Sequence, residues 1–312
     1  MQNIARLSLI LVFLGLTAIQ PVAQNKATLS RGRVTEVENL IKTTMSEAKI
    51  PGLSGAIISE NQLSYMHGFG TANLENATPA TPTTAYRLGS LTKTITAVGV
   101  MRLAEQGKLE LDAPVQKYCP AFPAKQWTVT ARKLLAHLGG VRDYNNQKFL
   151  EEYFSTRNYS SVRESLSIFK DDPLLSEPGT KYTYSTYGFV LLCCAIEGAA
   201  NTTYESYIRE NILKPAGLTD TGVDDIFQII PNRAGGYGKT RSGVVRNTAF
   251  ADTSNKIPAG GLISTAPDMG KFYLALQGGA LISQATLAQI WTVQKTRDGQ
   301  QVSYGLGWNR RA

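Results

Sequence analysis

The clearest patterning lies at residues 31–48, where Val34, Val37, Ile41 and Met45 recur at three- and four-residue spacing in an otherwise polar run. That period predicts an amphipathic helix, with Ser30 placed to cap its first turn. "LSGAIIS" and "QLSYMHGFG" then read as two strands joined by a turn at Glu60 and Asn61. The Pro/Thr-rich "NATPATPTTAY" is extended, and "RLGSLTKTITAVGV" after it opens an apolar helix that Gly107 stops. "PVQKYCPAFPAKQ" is a Pro-punctuated loop.

Further along, "TVTARKLLAHLGGV" predicts a helix ending at Gly139 and Gly140, and residues 146–172 predict a polar helical stretch. A strongly apolar helix is expected from Tyr187 to about Ala200, and another in "YESYIRENILKPAG", stopped by Pro215 and Gly217. "AGGYGKTRSGVVRNT" reads as a strand pair. "AGGLISTAPDMGKFYLALQGG" reads as a glycine-rich turn and a helix capped by Ser264 or Thr265, and "VSYGLGWNRRA" as one final strand. The order of helix, strands, long helical middle, strands and helix predicts an α+β fold. It has an antiparallel sheet with helices on its faces and a helical region inserted between sheet halves.

The chain of 312 residues, 43% hydrophobic and 18% charged, is long enough to bury a large core without disulfide staples. Residues 1–24 read as a signal peptide: Arg6 in a short positive start, the 13-residue apolar "LSLILVFLGLTAI", and small residues for cleavage near Ala23 or Gln24. That apolar run is short for a membrane span. The expected location is therefore periplasmic or secreted, with no stable membrane span once the signal is removed. A formal charge of +8 is scattered rather than grouped in a Lys/Arg tract, which argues against nucleic acid as a partner. It leaves room for association with anionic wall polymers such as peptidoglycan. Three cysteines, Cys119, Cys193 and Cys194, do not make a disulfide framework by count or spacing; Cys193 and Cys194 read as small buried hydrophobes. Two histidines, His67 and His137, without HExxH spacing, imply no metal, and no cofactor is implied.

Candidate chemistry rests on Ser90 and Lys93. Three apart at a helix start, their side chains share one face. A serine hydroxyl needs a nearby base, and a lysine desolvated by an apolar helix has a lowered pKa and so a usable lone pair. The backbone N–H of a serine at a helix start also supplies half of an oxyanion hole. The S-x-x-K spacing recurs at Ser46–Lys49 and Ser167–Lys170, but in polar stretches that read as solvated faces. The bland reading of Ser90 is an N-cap, with Lys93 reaching solvent.

"YRLGSLTK" resembles the active-site box of the serine β-lactamase and penicillin-binding superfamily, and in particular class C β-lactamases, their DD-peptidase and esterase relatives, and the mitochondrial serine β-lactamase-like protein. "GKLELDAPVQKYCPAFP", "TARKLLAHLGGVRDY", "EPGTKYTYSTYGFVLL" and "AGGLISTAPDMGKF" resemble that family's later segments in order, over roughly residues 31–308. The resemblance implies a three-layer α/β/α fold with a helical subdomain: an α/β part at about 31–88 and 235–312, and a helical part at about 89–234. It implies acyl transfer through an acyl-serine on amide or ester substrates, whether small molecules or peptides. Ser90 would be the nucleophile, Lys93 and Tyr184 the proton carriers, and Thr186, Gly260 and Gly261 the substrate-binding residues. A lysine beside Tyr184 would favour the ionised phenol, which leaves open which of Lys93 and Tyr184 takes the proton first.

Two departures follow. Thr186 stands where the family's Tyr-x-Asn box has asparagine, and so offers one hydroxyl in place of an amide donor and acceptor. The third box, Lys-Thr-Gly or His-x-Gly on a strand after "YGLGW", is not seen before Ala312, so the sequence reads as a piece of a longer protein lacking its C-terminal strands. These departures keep a second expectation open: a non-catalytic member that binds wall ligands or self-assembles.

Overall fold

The computed structural model describes residues 29–309, so the signal-peptide reading of residues 1–24 lies outside them. Helix α1 (Arg31–Ala48) begins where expected: the Ser30 hydroxyl accepts from the Arg33 N–H, and Lys49 ends the helix in the left-handed region. Strands β1 (Gly52–Ser59) and β2 (Gln62–Asn73) form an antiparallel hairpin about the turn at Glu60 and Asn61, both at positive φ. The short β3 (Thr78–Pro79) pairs antiparallel with the end of β2. Strand β4 (Tyr86–Arg87) leads through a 3-10 turn (Gly89–Leu91) into α2 (Thr92–Glu105).

The middle of the chain is helical but more broken than its pattern predicts. Helix α3 (Ala131–Leu135) stops at once, because His137 and Gly140 both take positive φ. Residues 146–172 form only α4 (Phe149–Tyr153), α5 (Val162–Ser165) and single 3-10 turns, not one helical stretch. The cause is tertiary: Arg142 ion-pairs with both Glu152 and Asp172 and donates to the Ile168 carbonyl, drawing distant points of the segment onto one guanidinium. Helix α6 (Thr186–Ala200) is the centre of the core, with Tyr187 through Ile196 at most 1% exposed. Helix α7 (Tyr204–Ile208) continues through a wide turn (Arg209–Leu213), and Gly217 at positive φ closes it.

The structure corrects the reading of the cysteines. Cys119 and Cys194 are joined in a disulfide across 75 residues, leaving Cys193 as the buried free thiol. Gly198, one helical turn beyond Cys194, meets the same loop; a Cβ there would sit 1.7 Å from the Tyr118 carbonyl oxygen. One face of α6 is therefore cut back to receive the loop that carries Cys119.

Strand β5 (Gly222–Val223) falls within the part expected to be helical. After the hairpin β6 (Tyr237–Lys239) and β7 (Val245–Asn247) comes α8 (Ile257–Gly260), then β8 (Leu262–Ser264), which pairs antiparallel with both β4 and β5. Thr265, not Ser264, caps α9 (Ala266–Gln277), which packs on β1 and β2; α10 (Gln284–Trp291) follows. The expected final strand is absent among the described residues. Leu306 and Gly307 donate instead to the carbonyls of Ile290 and Leu135, and Gly307 takes a positive φ that no extended strand permits.

Candidate active site

Helix α2 is buried along most of its length, and so is Lys93 in its first turn, at 1% exposure. Gly89 takes a positive φ, which swings the chain so that Ser90 stands on the 3-10 turn at the mouth of a cleft. Ser90 is therefore not the N-cap of α2, and the Lys93 amine does not reach solvent. Its Nζ donates to the Ala259 carbonyl at 2.8 Å and lies 3.3 Å from Ser90 Oγ. Thr96, one turn on, donates to the Pro258 carbonyl, and the Leu262 N–H donates to Thr92 Oγ1. These bonds dock the "IPAGG" segment along α2 through its main chain.

Tyr184 arrives from the other wall, two residues before α6, and its hydroxyl donates to Ser90 Oγ at 2.8 Å. Two groups thus meet on the Ser90 oxygen, one from the same turn and one from 94 residues away. Tyr182, two residues earlier, packs its ring beside those of His137 and Tyr304 and makes no bond to Ser90.

Burial pushes the Lys93 amine down to about 7, against a smaller upward pull from Asp143. Burial also holds the Tyr184 phenol above its ordinary value, outweighing the Ser90 hydrogen bond that lowers it. Burial thus disfavours the charged form of both groups, the ammonium of Lys93 and the phenolate of Tyr184.

The cleft encloses about 510 Å³. Thr186 lines it and is fixed by its backbone N–H on Asp143 Oδ1 at 2.9 Å. Gly260 lines it beside the Gly89 backbone, where an added Cβ would make ordinary contact at 3.6 Å. Gly261 does not line it: its absent side chain makes room for the Ile257 backbone, which a Cβ would approach to 2.7 Å.

Sequence reasoning did not single out three further residues. His137, 1% exposed, accepts from the Ser185 N–H through Nδ1 and packs its ring 4.2 Å from that of Tyr184. Burial first, and Lys93 second, push it down to about 3, so the imidazole is neutral and serves as a flat backing for the phenol. Asp143 holds the N-terminus of α6 at the cleft. Lys256, just before α8, also lines the cavity. Neither its spacing nor its neighbours "SNKIP" carry a periodic signal that points inward.

Comparison with known proteins places the chain in a family. The chain is 28% identical to the human mitochondrial serine beta-lactamase-like protein LACTB over 306 residues, covering 77% of this chain and 56% of that one. It is 28% identical to the putative penicillin-binding protein PbpX of Bacillus subtilis over 300 residues, covering 94% of this chain and 72% of PbpX. Among solved structures, the D-amino acid amidase of Ochrobactrum anthropi SV3, determined with L-phenylalanine amide, superposes with a TM-score of 0.73 at 26% identity, covering 87% of this chain and 80% of that one. The chain spans about half the length of the human relative it matches. The Beta-lactamase family model matches residues 37–311, which is nearly the whole described chain, and the protein belongs to the beta-lactamase family.

Proposed function

We propose that this chain is a serine hydrolase that forms an acyl-serine on amide or ester substrates. The observation that carries the reading is the convergence of Lys93 Nζ and the Tyr184 hydroxyl on Ser90 Oγ, at 3.3 Å and 2.8 Å. With an amine near 7 and no carboxylate bonded to it, a large fraction of Lys93 is neutral at physiological pH. The neutral amine accepts the Ser90 proton as Oγ attacks the acyl carbon. Lys93 then returns that proton to the leaving amine or alcohol, with Tyr184 holding its own proton as a donor beside the reacting oxygen. Water attacks the acyl carbon, the same amine takes its proton and passes it to Ser90 Oγ as the acyl–oxygen bond breaks, and the acid product leaves with Ser90 regenerated. That relatives carry the names penicillin-binding protein and amidase supports amides among the substrates.

Export to a periplasmic or extracellular site belongs to the same proposal. Its support is the layout of residues 1–24 and the Cys119–Cys194 disulfide, which suits an oxidising compartment. The second reading, a non-catalytic binder of peptidoglycan-like ligands, draws on Thr186, whose N–H is already committed to Asp143. Intact-mass analysis after treatment with benzylpenicillin and with a fluorophosphonate separates the two. The hydrolase reading expects a covalent adduct mapped to Ser90 and lost in Ser90→Ala; no adduct from either probe favours the binder.

A further inference from the structure

The cleft holds a second buried amine that the Ser90 chemistry does not use. Lys256 lines the same cavity as Ser90, Tyr184 and Thr186 and is 7% exposed. Its Nζ donates to the Tyr153 carbonyl and lies 4.9 Å and 5.5 Å from the ring centroids of Tyr153 and Tyr144. An ammonium carries three N–H donors, and among the described residues one is spent, on that carbonyl. The ring faces offset part of the desolvation of the charge but offer no oxygen to the remaining two. A buried charge with unspent donors is unfavourable unless something meets it.

The charges around Lys256 define what would meet it. Arg87 adds positive potential from the cleft wall, but its guanidinium is ion-paired to buried Asp224. Asp143 accepts from the Thr186 N–H, and Asp252 accepts from Asn158 and the Ser254 N–H. Both acids favour the charged form of Lys256 from a distance, but among the described residues neither bonds to its amine. Lys256 is therefore a cation with two N–H donors unspent among the described residues, and Asp143, on the same cavity, disfavours a second negative charge there. Beside it, Phe149 and Tyr153 stack at 5.1 Å and 12° with 41% and 42% of their surface open. An apolar wall with a buried cation whose donors are open at its foot fits an aromatic ring that bears one carboxylate.

We propose that Lys256 is the recognition cation of an acyl-group subsite, selecting substrates whose acyl portion carries an aromatic ring and a single carboxylate. This rests on the Ser90 hydrolase reading and names the substrate class of the same site. The test compares 4-nitrophenyl phenylacetate with its 4-carboxy derivative, which differ by that carboxylate alone. Wild-type kcat/KM favours the carboxylated ester by about tenfold or more. The ratio falls to about one in Lys256→Met and Lys256→Gln and stays above about three in Lys256→Arg, which keeps the charge. Because the ratio is taken within each variant, a general loss of activity cancels. A wild-type ratio of one or less overturns the proposal, as does a ratio that survives in Lys256→Met or Lys256→Gln.

A parallel measurement needs no catalysis. Calorimetric binding of phenylacetamide and of its 4-carboxylate to Ser90→Ala should favour the carboxylate by a similar factor, and equal affinities overturn the subsite. Failure of both esters to react, with that binding preference intact, sinks the hydrolase reading and leaves the subsite standing.

Discussion

The helical half of the molecule and its β1–β2 hairpin are built to different standards. In α6, ten consecutive residues from Tyr187 to Ile196 are almost wholly sealed, and α2 beside it is nearly as deep. Every residue of β1, by contrast, is only half-buried; β2 pairs with one edge of the strand, and among the described residues nothing pairs with the other. The groups that meet at Ser90 are mounted on the sealed half, Lys93 on α2 and Tyr184 two residues before α6, and the Ala259 carbonyl on α8 holds Lys93 in place. A lysine is worth burying only where the surroundings cannot relax to let water in, and the sealed half provides that place.

The largest effect that would break this comparison is loss of the amine. Lys93→Met is expected to lower the rate of Ser90 acylation by about 10²–10⁴-fold, read by time-resolved mass spectrometry of the adduct. A variant that acylates at near wild-type rate would mean that the depth of Lys93 serves packing alone.

The same substitution sharpens the comparison through stability. The Lys93 amine sits near 7 in the folded chain against an ordinary 10.5, so between those values the unfolded chain binds the proton that the folded chain does not. Stability from this group therefore rises with pH from about 7 to 10.5, and below 7 the folded state bears the full desolvation penalty. Lys93→Met should be more stable than wild type by about 2–4 kcal/mol at pH 6, an advantage that fades towards pH 10. Urea titrations at three pH values check both the sign and the trend.

Removing the disulfide with Cys119→Ala and Cys194→Ala should lower stability by about 2–4 kcal/mol, because it frees a 75-residue loop around the sealed half. Within the core, Leu191→Ala is expected to cost about 2–5 kcal/mol, whereas Ile57→Ala on half-buried β1 should cost about 1 kcal/mol. Equal losses at the two leucine and isoleucine sites, measured by denaturant unfolding, would erase the distinction between the halves.

What could be read ahead from the sequence follows the range of the forces involved. Local spacing and an apolar run made Ser90 and Lys93 candidates beside the N-cap alternative, and the family resemblance favoured them. Tyr184 was singled out through family resemblance, since no periodicity separates it from Tyr182. The disulfide was not legible: Cys119 lies in a Pro-rich loop and Cys194 on a helix, and only the docking of that loop at Gly198 brings them together. The broken run at 146–172 reflects a half-buried Arg142 that gathers Glu152 and Asp172, a long-range effect that helical propensity cannot register. Lys256 was hidden for a similar reason, because its orientation is set by the Tyr153 carbonyl from another segment.

The most direct test of the central claim, that a buried neutral lysine activates Ser90, is the pH dependence of Ser90 acylation by a fluorophosphonate. The rate should rise through an apparent pKa of about 7, stay level to beyond pH 9 because the Tyr184 phenol is held above its ordinary value, and lose the rise at 7 in Lys93→Met. A rate that is flat from pH 5 to 9, or that keeps the same inflection without Lys93, would contradict it.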